Sequence, residues 1–250
     1  MGAFFLGLNM EMSFLDHLEE LRWRLLKSIV SIVVFMLAAF FISDYVLEFL
    51  LLPMQDINAQ ISMQVLKVQT IFVIKLEIAL ILGIILSLPV ILYQLWAFIA
   101  PGLLPKEKKY IWPIIFFAML SFLVGASFAY FIIIPYALEF FLGLAPSTVS
   151  NNIAIDFYMG FILRLILVFG IVFELPILSV VLAKLGLITP QFLRKYRRHA
   201  IVTIFIVGAI LTPPDPTTQV FLAIPLVILY EVTIWMAAVF GKKRNVQLNQ

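Results

Sequence analysis

The sequence predicts an all-α, polytopic membrane protein: six transmembrane helices, the last two short, in a curved bundle with both termini cytoplasmic. Three observations carry this. The 250 residues are 64% apolar and only 12% charged, against about half and about 25% in a soluble domain. Several runs are apolar over the roughly 20 residues that a helix needs to cross the hydrocarbon layer. Lysine and arginine cluster on alternate connections between those runs. This excess of apolar residues excludes a disordered chain, a nucleic-acid-binding domain and an ordinary soluble enzyme. The whole chain, 1–250, reads as a single integral membrane domain.

The spans follow in order. Leu25 to Ile42 is the first, with Lys27 placed to snorkel at its edge. It is preceded by Phe14 to Arg24, where Phe14, Leu18, Leu21 and Leu25 fall on one stripe and an amphipathic cytoplasmic helix is expected. Ala3 to Leu8 is too short for the apolar core of a cleavable signal sequence, and no basic residue precedes it. The connection after span one is long, and Val46 to Leu52 predicts a short surface helix ending at Pro53. Ile78 to Ala100 and Ile111 to Leu138 are uncharged second and third spans. Phe157 to Ala183 is the fourth and contains Arg164 and Glu174. Ala200 to Leu211 and Gln219 to Tyr230 are shorter, separated by Thr212-Pro213-Pro214-Asp215-Pro216-Thr217-Thr218. They fit either two short spans or a hairpin dipping in from one side. Extension of the second past Glu231 to Phe240 would make it full length. Pro89, Pro135, Pro176 and Pro225 lie inside spans, and each removes a backbone donor and bends its helix.

Fourteen of the 17 basic residues lie on alternate connections: before span one, at Lys106 to Lys109, from Lys184 to Arg198, and in the Lys242-Lys243-Arg244 tail. The positive-inside rule places that face in the cytoplasm.

Polar residues within this frame are the candidates for function. Glu174 lies well inside span four, where a lipid-facing carboxylate costs several kcal/mol. It must be protonated, paired or facing water. It is either a polar site in a water-reached groove or a structural hydrogen bond between helices. Arg164, ten residues away, is too far along the helix to pair with it and reads as a snorkelling residue. Glu20 and Glu107 are acids embedded in basic segments. They fit ordinary charge mixing, or carboxylates that take guanidinium groups in bidentate fashion. Asp215 fits a turn cap, or a polar patch that meets another membrane helix. His17 and His199 have no metal-ligand spacing, and without cysteine there is no disulfide or thiolate chemistry. There is no P-loop and no H-E-x-x-H motif. The chain is not expected to be an enzyme, and no cofactor is expected. Energy for any work would come from a partner or an ion gradient.

Several segments carry a resemblance. His17-Leu18-Glu19-Glu20-Leu21-Arg22-Trp23-Arg24-Leu25-Leu26 resembles the opening segment of the TatC family of twin-arginine protein translocase subunits. So do Leu88 to Leu103, with its Tyr93-Gln94-Leu95-Trp96-Ala97-Phe98 centre, and Phe173-Glu174-Leu175-Pro176. So does Leu211-Thr212-Pro213-Pro214-Asp215, followed by Gln219 and Ala223-Ile224-Pro225. The resemblance implies a cupped bundle that recognises signal peptides bearing consecutive arginines on folded cargo. It implies action with single-span TatA- and TatB-type partners, driven by the proton-motive force, in a bacterial cytoplasmic (inner) membrane. Carried onto this sequence, the signal-peptide surface comprises Glu20, Arg22, Arg24, Phe98 and Glu107, and the intramembrane acid is Glu174. Pro53, Thr212, Asp215 and Gln219 match positions linked to function or partner contact. Gly102 and Pro105 stand where other members vary.

Six bent helices do not enclose a pore wide enough for a folded domain. Partners are therefore required, and a homo-oligomer within a larger complex is expected. A second reading is a proton-coupled small-molecule transporter with Glu174 as carrier acid. It needs an internal repeat and a route open to both sides, and the sequence displays neither.

Overall fold

The computed structural model describes residues 14–55, 61–99, 111–144, 151–184, 186–211 and 216–240. Residues 1–13, the Lys106–Lys109 segment and the Lys242–Arg244 tail lie outside them. The described chain is helical apart from one pair of short strands. Five helical spans are long and apolar enough to cross a membrane.

The amphipathic segment and the first span form one continuous helix, α1, Phe14–Phe40. Its 27 residues rise about 40 Å, longer than the hydrocarbon layer. The chain turns a corner at Phe41 and Ile42, where the buried Ser43 hydroxyl donates to the Phe40 carbonyl at 2.7 Å. Helix α2, Ser43–Gln55, follows. It was expected to end at Pro53 but runs through it. The proline leaves the Phe49 carbonyl without its intrahelical donor, and the Tyr130 hydroxyl supplies one at 2.6 Å. The Tyr158 hydroxyl donates to the next carbonyl, Leu50, at 2.9 Å.

Helix α3, Thr70–Ile99, begins eight residues before the uncharged stretch, so Lys75 and Glu77 are helical. Lys75 pairs with Asp44 in the first turn of α2 at 2.6 Å, which lets the α3 start carry charge. Helices α1 and α3 form the most extensive contact in the molecule. A methyl group at Gly83 would sit 2.8 Å from the Met36 backbone nitrogen. Only glycine permits that approach, as in other closely packed membrane helices.

The third span is α4, Ile111–Phe128, a π-helical turn at Ala129–Ile133, and α5, Ile134–Gly143. The wide turn ends two residues before Pro135, whose ring and missing N–H disfavour a regular α turn there. The fourth span is α6, Ile155–Phe173, and α7, Leu175–Lys184, which meet at Glu174. Helices α4 and α6 also touch through glycines. A Cβ on Gly170 would lie 2.5 Å from the Phe122 ring, and one on Gly125 would lie 2.6 Å from the Phe169 carbonyl.

A short α8, Pro190–Lys195, is capped by Thr189, whose hydroxyl accepts from the Phe192 N–H at 3.1 Å. Helix α9, Arg197–Leu211, has 15 residues and rises about 22 Å. Helix α10, Pro216–Phe240, has 25 residues and takes the longer extent, continuing past Glu231. Glu231 is accommodated there by an exposed ion pair with Arg197 at 2.7 Å.

Strands β1, Ile61–Gln64, and β2, Asn151–Ala154, pair in parallel with Ile61 opposite Asn151 and Gln64 opposite Ala154. The Ser62 hydroxyl bonds the Asn152 side chain across the pair. No strand was expected here. The segments Ile-Ser-Met-Gln and Asn-Asn-Ile-Ala carry no alternation of note, and their pairing depends on contact over 90 residues. The ladder puts the connection before α3 and the connection before α6 on one face of the protein, called here the strand face. The main core lies beneath it, built around Ile78, Ile133, Met159, Leu165 and Phe169. A smaller cluster of Leu92, Trp96, Ile115, Ala118 and Val181 closes the opposite end.

Candidate functional site

The α1–α3 pair builds a polar site at the end opposite the strands. Residues 17, 20 and 24 fall on one side of α1, because three- and four-residue steps return to the same face. The Glu20 Oε1 accepts from Arg24 Nε at 2.8 Å and also from Nη2. Arg24 Nη1 reaches across to Gln94 Oε1 on α3 at 3.3 Å. The Glu20 and Arg24 side chains are only 19% and 23% exposed. His17 stacks on Phe98, with ring centroids 4.3 Å apart and planes at 17°. Its Nδ1 stands 3.5 Å from the second Glu20 oxygen, Oε2. That oxygen is buried and has no hydrogen bond among the described residues.

One half of the carboxylate is thus committed to holding its own side chain in place. The other half is a desolvated acceptor beside a flat ring pair. A guanidinium donates in the plane of a carboxylate and stacks on aromatic faces. The arrangement suits such a ligand chemically.

Glu20, Arg24 and Phe98 are therefore brought together, as expected. Arg22 is exposed, displaced from this cluster by the two-residue step from Glu20. Glu107 lies outside the described residues. In sequence, His17 is an isolated histidine and Gln94 an unremarkable amide, yet both join the site. The signal for His17 was its spacing of three and seven residues from Glu20 and Arg24. Gln94 had no local signal.

Glu174 occupies the junction between α6 and α7. Pro176 brings no N–H back to the Val172 carbonyl, and the Glu174 N–H bonds three residues back to Ile171 at 3.1 Å. The Ser121 hydroxyl on α4 donates to the neighbouring Phe173 carbonyl at 2.6 Å. The carboxyl oxygen Oε1 is buried and unpartnered among the described residues. The helix break and the acid coincide, so the side chain sits where the backbone is already irregular. Arg164 is exposed and forms no ion pair with Glu174.

Pro53 is buried in α2, against the two tyrosine-held carbonyls. The Gln219 amide donates to the Phe205 carbonyl at 2.8 Å, tying α10 to α9. Thr212 and Asp215 lie outside the described residues. Ser179 adds a second tie, donating to the Thr233 carbonyl at 3.2 Å and so joining α7 to α10.

The sequence matches the family model for TatC, Sec-independent protein translocase protein, over residues 16–225. The chain belongs to the TatC family. It is 38% identical over 233 residues to the Sec-independent protein translocase protein TatC of Desulforapulum autotrophicum, covering 93% of this chain and 86% of that one. It is 40% identical over 232 residues to the Aquifex aeolicus TatC, covering 92% and 96%. The fold matches a crystal structure described as the twin arginine translocase receptor TatC, with a TM-score of 0.82 and 41% identity, covering 88% of this chain and 97% of that one. A second crystal structure of that receptor, in DDM, matches with a TM-score of 0.83. TatC-family membership makes this chain a protein translocase component and a multi-pass membrane protein of the Tat pathway.

Proposed function

We propose that this chain is the signal-peptide-recognising core subunit of its translocase. It binds paired-arginine signal peptides of folded proteins on the face that carries Glu20 and Glu107. The observation that carries this reading is the unfilled, buried Glu20 Oε2 beside the His17–Phe98 stack. A basic face repels a basic ligand at long range, so an embedded acceptor must supply the local attraction. Two such acids offer one carboxylate per arginine. Arg24 positions the Glu20 carboxylate, and the apolar part of the signal peptide lies along the helices or lipid.

Binding nucleates export powered by the proton-motive force, together with single-span TatA- and TatB-type subunits and further copies of this chain. Glu174 serves the transport step, and Thr212, Asp215 and Gln219 serve partner contact. Pro53, expected as a contact residue, is buried and offers a partner no surface, so it serves by shaping α2. The orientation is that of a bacterial inner-membrane protein with six spans and both termini inside. The basic residues of the Lys184–Arg198 connection then lie in the cytoplasm and the strand face lies outside. No bond-making step is assigned to the chain. The transporter alternative has no support from a repeat or from the relatives.

The test is site-specific photocrosslinking from Phe98, Glu107 and Gln219 in native membranes. Phe98 and Glu107 probes are expected to capture a twin-arginine peptide, and the Gln219 probe a single-span subunit. Glu20→Gln and Glu107→Gln each reduce peptide capture while the protein still inserts and folds. Unchanged capture in both variants would remove the acid pair from the account.

A further inference from the structure

Arg164 is the one basic residue of the fourth span apart from Lys184 at its very end. Among the described residues of α6 only Phe157, Arg164 and Ile171 are exposed, and they stand seven residues apart in a single line down the helix. Phe157 and Ile171 are 75% and 54% exposed, and both are apolar. This line therefore faces the hydrocarbon. Arg164 lies nine residues past the helix start at Ile155, a depth of about 13 Å along the axis.

The side chain does not stay at that depth. Helical side chains lean toward the N-terminus, and Arg164 folds back over Gly160. A methyl group at Gly160 would lie 3.1 Å from Arg164 Nη2. The missing Cβ thus opens a shallow notch one turn closer to the strand face, and the guanidinium rests there. None of the ion pairs among the described residues involves Arg164. The acid on its own helix, Asp156 in the first turn, takes part in none of those ion pairs either.

An unpaired guanidinium in a span is costly unless it reaches the headgroup layer. Arginine is matched in geometry to phosphate, which it takes with parallel N–H bonds. We propose that Arg164, seated over Gly160, is a binding site for the phosphodiester of a phospholipid in the leaflet on the strand side. The acyl chains then run down the Phe157–Ile171 line. The bound lipid supplies the anion that the described residues do not.

The experiment uses the full chain in vesicles of phosphatidylethanolamine and phosphatidylglycerol. A small fraction of the phosphatidylglycerol carries a photoreactive group near its phosphate. Adducts are mapped by mass spectrometry of the Ile155–Phe173 segment, with adducts on the Lys184–Arg198 connection as internal reference. The wild-type chain is expected to carry an adduct near Phe157–Arg164. Arg164→Leu lowers its yield about tenfold, the loss expected for a charge-assisted hydrogen bond, and Arg164→Lys keeps part of it. Gly160→Leu also lowers the yield, because its side chain fills the space in which the guanidinium rests. It keeps the test decisive if Arg164→Leu does not fold. Absence of the adduct in the wild type overturns the proposal, as does an undiminished yield in Arg164→Leu or Gly160→Leu. So does competition by inorganic phosphate, which would mark a free-anion site. Signal-peptide capture is not read in this assay, so the two proposals fail independently.

Discussion

Tyr130 donates its hydroxyl to the carbonyl of Phe49 at 2.6 Å, and Phe49 stands four residues before Pro53. The proline removes the N–H that this carbonyl would otherwise receive. A residue on the third span therefore completes a helix that lies after the first. The coupling explains how α2 passes through a buried proline, and it ties the connection that holds α2 to the third span.

Tyr130→Phe is expected to destabilise the protein by about 1–3 kcal/mol, the cost of a buried carbonyl left without a donor. Pro53→Ala restores an N–H to that carbonyl. The double variant should lose less than the two single losses combined, read as melting temperature in detergent. Strict additivity would mean that the two residues act separately.

Arg24→Gln removes the group that holds the Glu20 carboxylate. The pair is partly exposed and spaced four residues apart, so stability should fall by less than about 1 kcal/mol. Twin-arginine peptide capture should fall more sharply, because Glu20 loses its orientation. A variant that captures peptide as well as the wild type would make Arg24 a bystander.

Glu174→Ala should reduce transport of folded cargo more than membrane insertion. Ser121→Ala should act in the same direction and more weakly, since it removes only the 2.6 Å bond to the Phe173 carbonyl, worth about 1 kcal/mol. Export assayed alongside the inserted amount separates the two effects. Full export by Glu174→Ala would reduce the residue to a packing role.

Gly170→Val places carbon into the Phe122 ring and forces α4 from α6. A melting temperature lowered by an equivalent of about 1–3 kcal/mol is expected, as for other overpacked cores. Gly143→Ala is the control, because nothing lies within 4 Å of its added carbon. Equal behaviour of the two would show that the close approach of α4 and α6 is not required.

The spans were legible because crossing a bilayer is a local and additive property. An apolar run of sufficient length declares itself whatever it packs against. Boundaries were less legible, since Lys75 and Glu231 looked like ends and became interior once Asp44 and Arg197 supplied partners. At the candidate site, Glu20 and Phe98 stood out by type and by resemblance. Gln94 did not, because its value comes from a helix more than 60 residues away in sequence.

The amino-acid order alone thus determined a helical, many-spanned membrane protein, the acids that stand out within it and the side on which positive charge gathers. Folding decided which of those polar atoms are matched. Only the packed helices leave Glu20 Oε2 and Glu174 Oε1 buried without a hydrogen bond among the described residues, close the Phe49 carbonyl with Tyr130, and lay Arg164 in the Gly160 notch. The physical reason is that partition into lipid is summed along a chain, whereas a hydrogen bond exists only between atoms that tertiary structure brings within about 3 Å.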